Sequence, residues 1–182
     1  MSKNIWFISD THFQHKNIAL VFTDAKTGKR VRNFNSVQEM DETMIQNWNS
    51  VVKYGDIVYH LGDVFFGNAE SADKILQRLN GEKKLIMGNH DHMKYPYSSI
   101  LFKHFNTIDL FDRMDDFFMH HVPVRLDQFG KFKFQVHGHI HEQLIDDPRY
   151  MNVCVEHTNY TPVAYEDLKK KLDKRRREIE IT

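Results

Sequence analysis

Five short clusters of histidine, aspartate and asparagine, each placed directly after a short apolar run, govern what this chain can fold into. They are Asp10-x-His12, His60-Leu-Gly-Asp63, Gly88-Asn-His-Asp91, His120-His-Val-Pro123 and His137-Gly-His-Ile-His141. The runs Asn4–Ser9, Asp56–Leu61, Lys83–Met87, Asp116–Met119, Phe132–Val136 and Met151–Val155 are rich in β-branched, aromatic and other apolar residues and read as strands. Loops at strand C-termini are where open α/β sheets place their sites. Gly62, Gly88 and Gly138 are expected to turn these loops sharply without steric conflict.

Between the strands lie helical signals. Ser36 with Glu39 three residues later is a capping-box signature, and Val37, Met40, Met44, Ile45 and Trp48 share one face of the helix that follows. Ala69 to Asn80 predicts a second helix, with Ile75, Leu76 and Leu79 inward and Gly81 as its stop. Helix signals thin out in the later half, so an α/β sandwich of two mixed β-sheets flanked by helices fits better than one doubly wound parallel sheet. Lys26-Thr27-Gly28 lies inside Phe22 to Arg32 and suggests a small projecting hairpin. Residues 164–178 predict a basic helix docked by Leu168 and Leu172. Its cations Lys169, Lys170, Lys171, Lys174, Arg175, Arg176 and Arg177 are interleaved with Glu166, Asp167, Asp173, Glu178 and Glu180.

With 182 residues and no repeat or linker, the expectation is a single domain over 1–182. Lys+Arg and Asp+Glu both total 25, so no global basic field points to nucleic acid, which is admitted as a partner but not favoured. Cys154 is the only cysteine, which excludes an internal disulfide and a thiolate-rich zinc site. No stretch is long and apolar enough for a signal peptide or membrane span, and a bacterial cytoplasm, or that of a phage-infected bacterium, is expected.

Each motif alone has a plain structural reading as a turn residue or helix cap. Together they offer carboxylate, imidazole and amide donors from five loops, a mixed nitrogen and oxygen set suited to divalent transition metals. Gathering so many ionisable groups without a metal would cost heavily in desolvation and repulsion. The set suits Mn, Fe, Ni, Co and Zn alike, with Mn²⁺ taken as the expected ion.

The motifs, in this order over residues 10–141, resemble the calcineurin-like metallophosphoesterase superfamily. The His-Leu-Gly-Asp form, Leu79-Asn-Gly81 and the late Asn159-Tyr-Thr-Pro162 resemble its small bacterial and phage members. The resemblance implies a hydrolase with two divalent ions: Asp10, His12 and His141 on one, Asn89, His121 and His139 on the other, and Asp63 bridging. It also implies His90 as acid or transition-state donor and a metal-bridging water as nucleophile. His121 is chosen over His120 because His-x-Pro matches the pattern. His60 and His137 are read as buried hydrogen-bonded histidines. Protein Ser/Thr phosphatases of the superfamily follow Gly-Asp with Asp-Arg-Gly, whereas Val64-Phe65-Phe66-Gly67 stands here, which disfavours a phosphoprotein substrate.

Asp91 is expected to orient His90 or cap a turn, and Asp91 and His120 are placed as neighbours behind the ligands. His15, Asn17, Arg30 and Arg32 are the expected substrate contacts, and the hairpin cations favour a nucleotide-type phosphodiester. A phosphomonoesterase or nuclease of the same superfamily is the alternative. A catalytically inactive metal-binding interaction module is the competing class, although every expected donor type survives.

Overall fold

The computed structural model describes residues 3–180, without the side chains of 176–180. Two sheets are stacked. The first has the order β4-β3-β2-β1-β9, built from β1 (Ile5–Ile8), β2 (Ile57–His60), β3 (Glu82–Ile86), β4 (Thr107–Asp109) and β9 (Val163–Ala164). It is parallel except where β9 runs antiparallel to β1. The second has the order β5-β6-β7-β8, from β5 (Phe111–Met114), β6 (Phe117–His120), β7 (Phe134–His137) and β8 (Tyr150–Asn152). Here β6, β7 and β8 are parallel and β5 is antiparallel to β6.

The centre of the first sheet is buried on both faces, which explains the near-continuous apolar runs of β1 and β2. Ile8, Val58 and Leu85 point toward the helices α2 (Val37–Val51), α3 (Ala69–Leu76) and α4 (Tyr97–His104). Their sequence neighbours Phe7, Tyr59 and Ile86 point the other way, into an inter-sheet core with Phe117, Met119, Phe134 and Val136. The period-2 alternation of strands thus feeds two cores from one sheet. The C-terminal helix α5 (Tyr165–Glu180) joins the inter-sheet core through Leu168 and Leu172. The side chains of Arg176, Arg177, Glu178 and Glu180 lie outside the described residues.

Helix α2 begins as its sequence requires. Ser36 accepts the Glu39 N–H at 3.0 Å, while the Glu39 carboxylate reaches back to the Asn35 N–H at 2.7 Å rather than to Ser36. Helix α3 is shorter than expected: after Leu76 the chain tightens into i→i+3 bonds, Arg78 N–H to Ile75 and Leu79 N–H to Leu76. Short α1 (Lys16–Leu20), α4, β4, β5 and β9 had no clear periodic signal, because each is brief and fixed by tertiary packing. The hairpin forms across Thr23 and Arg30, with the Asp24 carboxylate accepting the Lys26 and Thr27 N–H groups. Among the described residues no helix is long and apolar enough to cross a membrane.

Candidate metal centre

All five motifs leave the C-terminal ends of parallel strands: β1, β2 and β3 in the first sheet, β6 and β7 in the second. Backbone bonds then stitch neighbouring loops together. Asp10 N–H donates to Gly62, His12 N–H to Asp63, and Gly138 N–H to His121. The Ser9 and Cys154 bridge joins the two sheets beside the first motif.

Five of the seven expected ligands adopt left-handed backbone: Asp10 (φ 57°), His12 (47°), Asp63 (59°), His139 (72°) and His141 (47°). Such conformations cost roughly 1–3 kcal/mol each for residues with a Cβ and persist where the surroundings over-determine them, a hallmark of functional sites. The three motif glycines act differently from expectation. Of these, Gly62 alone is left-handed, at φ 94°, whereas a Cβ on Gly88 would strike Asp63 and one on Gly138 would strike Ser9 and Asp10. Gly88 and Gly138 are required by close packing of one motif on another.

Both central carboxylates are held by one oxygen and leave the other free. Asp10 Oδ2 accepts from Ser9 Oγ (2.5 Å), the His139 N–H (2.9 Å) and Cys154 Sγ (3.2 Å). Its Oδ1 is buried without a hydrogen-bond partner, 3.6 Å from His12 Nε2 and 3.9 Å from His141 Nε2. Asp63 Oδ1 accepts the His90 N–H at 2.8 Å, and Oδ2 lies 3.6 Å from His12 Nε2 and 3.5 Å from His121 Nε2. These gaps are too long for hydrogen bonds. They suit donors arranged around a cation, each roughly 2.1 Å from it. Buried His12, partnerless at both ring nitrogens, completes the picture. Asn89 Oδ1 sits 3.0 Å from His121 Nε2 and 2.9 Å from His139 Nδ1. Asp10, His12 and His141 form one cluster and Asp10, Asp63 and His121 another, so the residues present fit divalent metal.

Electrostatics agree. Burial opposes the charge on Asp10, yet the imidazoles of His12, His121 and His141 hold its carboxyl well below the usual range. Burial likewise disfavours charge on His121, but Asp63 and Asp10 pull it up to about 9. The pocket attracts positive charge. By contrast, burial pushes His60 down to about 3 and His137 to about 4. Both face away from the centre: His60 bonds Thr11 Oγ1 and the Gly62 N–H, and His137 bonds the Gly138 carbonyl.

Several expected contacts lie elsewhere. Arg32 is 0 % exposed and does not line the groove: it pairs with Glu156 at 2.7 Å and donates to the Asp10 and Thr11 carbonyls. Arg30 is exposed, but its guanidinium is tied to the Phe34 carbonyl and Asn33. Asn17 is exposed on α1 and does not line the groove beside the centre. His120 turns away, its Nδ1 bonded to the Val122 carbonyl and its ring stacked on Phe118, so it supports no ligand. Asp91 accepts the N–H groups of Asp63, Val64 and Gly88, which locks the second motif to the third. His15 does line the groove, stacked on Phe66 with centroids 4.0 Å apart.

Residues that motif reading passed over complete the backing. Glu156 Oε1 lies 3.2 Å from His141 Nδ1 while gripping Arg32, a carboxylate–histidine couple that directs Nε2 inward. Burial opposes its charge, but Arg32 and His141 keep the carboxyl low. Glu156 closely follows β8, at the same end of the sheet as the five motifs, and that position was the available signal.

The calcineurin-like phosphoesterase family model matches residues 3–176. The chain belongs to this family. It is 33% identical over 181 residues to an uncharacterized protein of Methanocaldococcus jannaschii, covering 94% of this chain and 93% of the relative. It is 36% identical over 92 residues to the gene 66 protein of Mycobacterium phage L5, covering 48% of this chain and 40% of that protein. Among solved structures, a protein of unknown function from Aquifex aeolicus shares the fold, with a TM-score of 0.66, 23% identity, and 93% and 99% of the two chains covered. Family membership makes the chain a metal-dependent hydrolase of phosphate esters, and the family's dinuclear divalent centre corresponds to the Asp and His clusters described above.

Proposed function

We propose that this phosphoesterase cleaves phosphodiesters of nucleotide type. Asp10, His12 and His141 would hold one ion, Asn89, His121 and His139 the other, and Asp63 both, with Mn²⁺ as the expected metal. The observation that carries the assignment is the pair of buried, partnerless donors, Asp10 Oδ1 and His12 Nε2, facing each other across 3.6 Å beside Asp63. Bound divalent ions supply Lewis acidity and lower the pKa of a coordinated water from about 15.7 toward about 7.

The chain's own residues do the rest. Asp91 fixes the Asp63 and Gly88 backbones, so the second and third motifs keep one relative position. His90 is exposed at the groove, its N–H on Asp63 and its ring 5.8 Å from that of His12. There it protonates the departing alkoxide. Arg32 and Glu156 hold His141 with its Nε2 toward Asp10. Diester preference follows from charge: the groove of about 580 Å³ beside the centre is lined by no lysine or arginine among the described residues. A monoanionic diester needs less cationic support than a dianionic monoester. With its only cysteine a buried free thiol, the chain also suits a reducing cytosol.

The test is hydrolysis of bis(p-nitrophenyl) phosphate and p-nitrophenyl phosphate by Mn²⁺-loaded protein of measured metal content. At least tenfold higher kcat/KM for the diester is expected, and equal turnover removes the diester preference. His90→Ala should cost roughly 10²–10⁴-fold on an alkyl ester, where the leaving group needs a proton, and less on the p-nitrophenyl ester. An undiminished alkyl ester rate overturns its role.

A further inference from the structure

Gly62-Asp63 is followed by Val64-Phe65-Phe66-Gly67. Phe65 turns into the helix-side core, but Phe66 emerges beside the metal centre, 39 % exposed. Its ring stacks on His15 at 4.0 Å and 14°, and lies 5.1 Å from the ring of His12. Phe22, 45 % exposed at the base of the hairpin, meets the His15 ring edge-on at 5.6 Å. Phe22, His15 and Phe66 thus make a continuous aromatic wall that ends at a metal-facing histidine. Ile18, Val31 and Ile140 line the same groove.

Exposed aromatic rings cost free energy in water unless something covers them. A wall of rings in a groove without lysine or arginine recognises a flat, uncharged surface, and a phosphate held at the centre would bring one if it carried a nucleobase. Resting on the phosphodiesterase reading above, we propose that Phe22 and Phe66 form a nucleobase site: the base of a nucleotidyl ester stacks on this wall while its phosphate lies at Asp10, Asp63 and the histidines. Stacking of this kind tolerates any base, so selection falls on base-bearing over base-free esters.

Binding decides it without turnover. Calorimetric titration of Mn²⁺-loaded protein with thymidine 5′-monophosphate and with 2-deoxyribose 5-phosphate compares the same phosphate with and without a base. Affinity on the order of tenfold higher for the nucleotide is expected. Phe22→Ala, at a largely exposed position, should bring the ratio to about threefold or less, and Phe66→Leu, which keeps apolar volume, should do the same. Equal affinity of the unaltered protein for both ligands, or an unchanged ratio in both folded variants, overturns the site. Bis(p-nitrophenyl) phosphate run on the same samples separates the two readings. No hydrolysis with base preference intact removes the phosphodiesterase and leaves the base site, whereas hydrolysis without base preference does the reverse.

Discussion

The two halves of the centre are built differently. Asp10 and His12 are buried, His141 is backed by Glu156, and Arg32 beneath them ties the Asp10 and Thr11 carbonyls to the same carboxylate. On the other side Asn89 is exposed and His139 half-buried, and both lean on His121 without an ionic backing of their own. One half is pre-organised by a buried ion pair, whereas in the other only His121 is buried and Asn89 and His139 reach solvent. The difference teaches that ligand identity alone does not set affinity: the carboxylates and backbone behind each ligand decide how much of its binding energy goes into ordering the site.

Asp63 touches both halves, so Asp63→Ala should have the largest effect. Loss of both ions and of phosphate-ester hydrolysis by on the order of 10³-fold or more is expected, because its Oδ2 faces His12 and His121 and its Oδ1 holds the His90 N–H. Elemental analysis of purified variant checks it, and two full equivalents of metal would show that the halves do not share this carboxylate. Asn89→Ala probes the open half alone. About one equivalent of metal should remain with activity down roughly 10²-fold, and loss of both would make the halves one cooperative unit.

Glu156→Gln tests the buried half. Removing the carboxylate behind His141 should weaken metal binding there by about 10–100-fold. It also leaves Arg32 as an uncompensated buried charge, which typically costs about 3–5 kcal/mol of stability. Metal titration well below the melting temperature separates the two effects, and unchanged affinity in folded variant would reduce Glu156 to a partner of Arg32.

How much of this was legible in the chain depends on what each residue answers to. Asp10, His12, Asp63, Asn89, His121, His139 and His141 stand out because chemistry forces distinctive donors to strand ends, and the structure gathers all seven. The strands of both cores were readable for a related reason: alternation in Phe7-Ile8, Val58-Tyr59 and Leu85-Ile86 records burial directly. Arg32 was misread because charge and hairpin position suggest the surface, while only the tertiary contact with Glu156, 124 residues away, shows that it is buried. Glu156 carries no local pattern, so its role depends on the second sheet bringing it behind His141. Elements such as α4 and β4 were missed because eight and three residues give too little periodicity.

The smallest effect on the centre concerns stability beneath the buried half. Asp41 on α2 accepts the Gln14 N–H at 3.0 Å, just beyond the first motif. Burial pushes its carboxyl up to about 6; the Gln14 bond opposes this, nearby Glu42 adds to it and Arg32 works against it. A folded-state pKa above the unfolded value means that the fold prefers the protonated acid. The favourable contribution is therefore present below about pH 4 and lost as pH rises through about 6. Asp41→Asn keeps an oxygen for the Gln14 N–H and removes the charge. It should leave stability unchanged near pH 4 and raise it by on the order of 2 kcal/mol at pH 7.5. Metal affinity should move by less than about twofold, since the substitution leaves the Arg32 and Glu156 contacts in place. Chemical denaturation at the two pH values checks the sign. A variant that loses stability at pH 7.5 would mean that the carboxylate, as an anion, holds the first motif in place, and the backing of the buried half would then include Asp41.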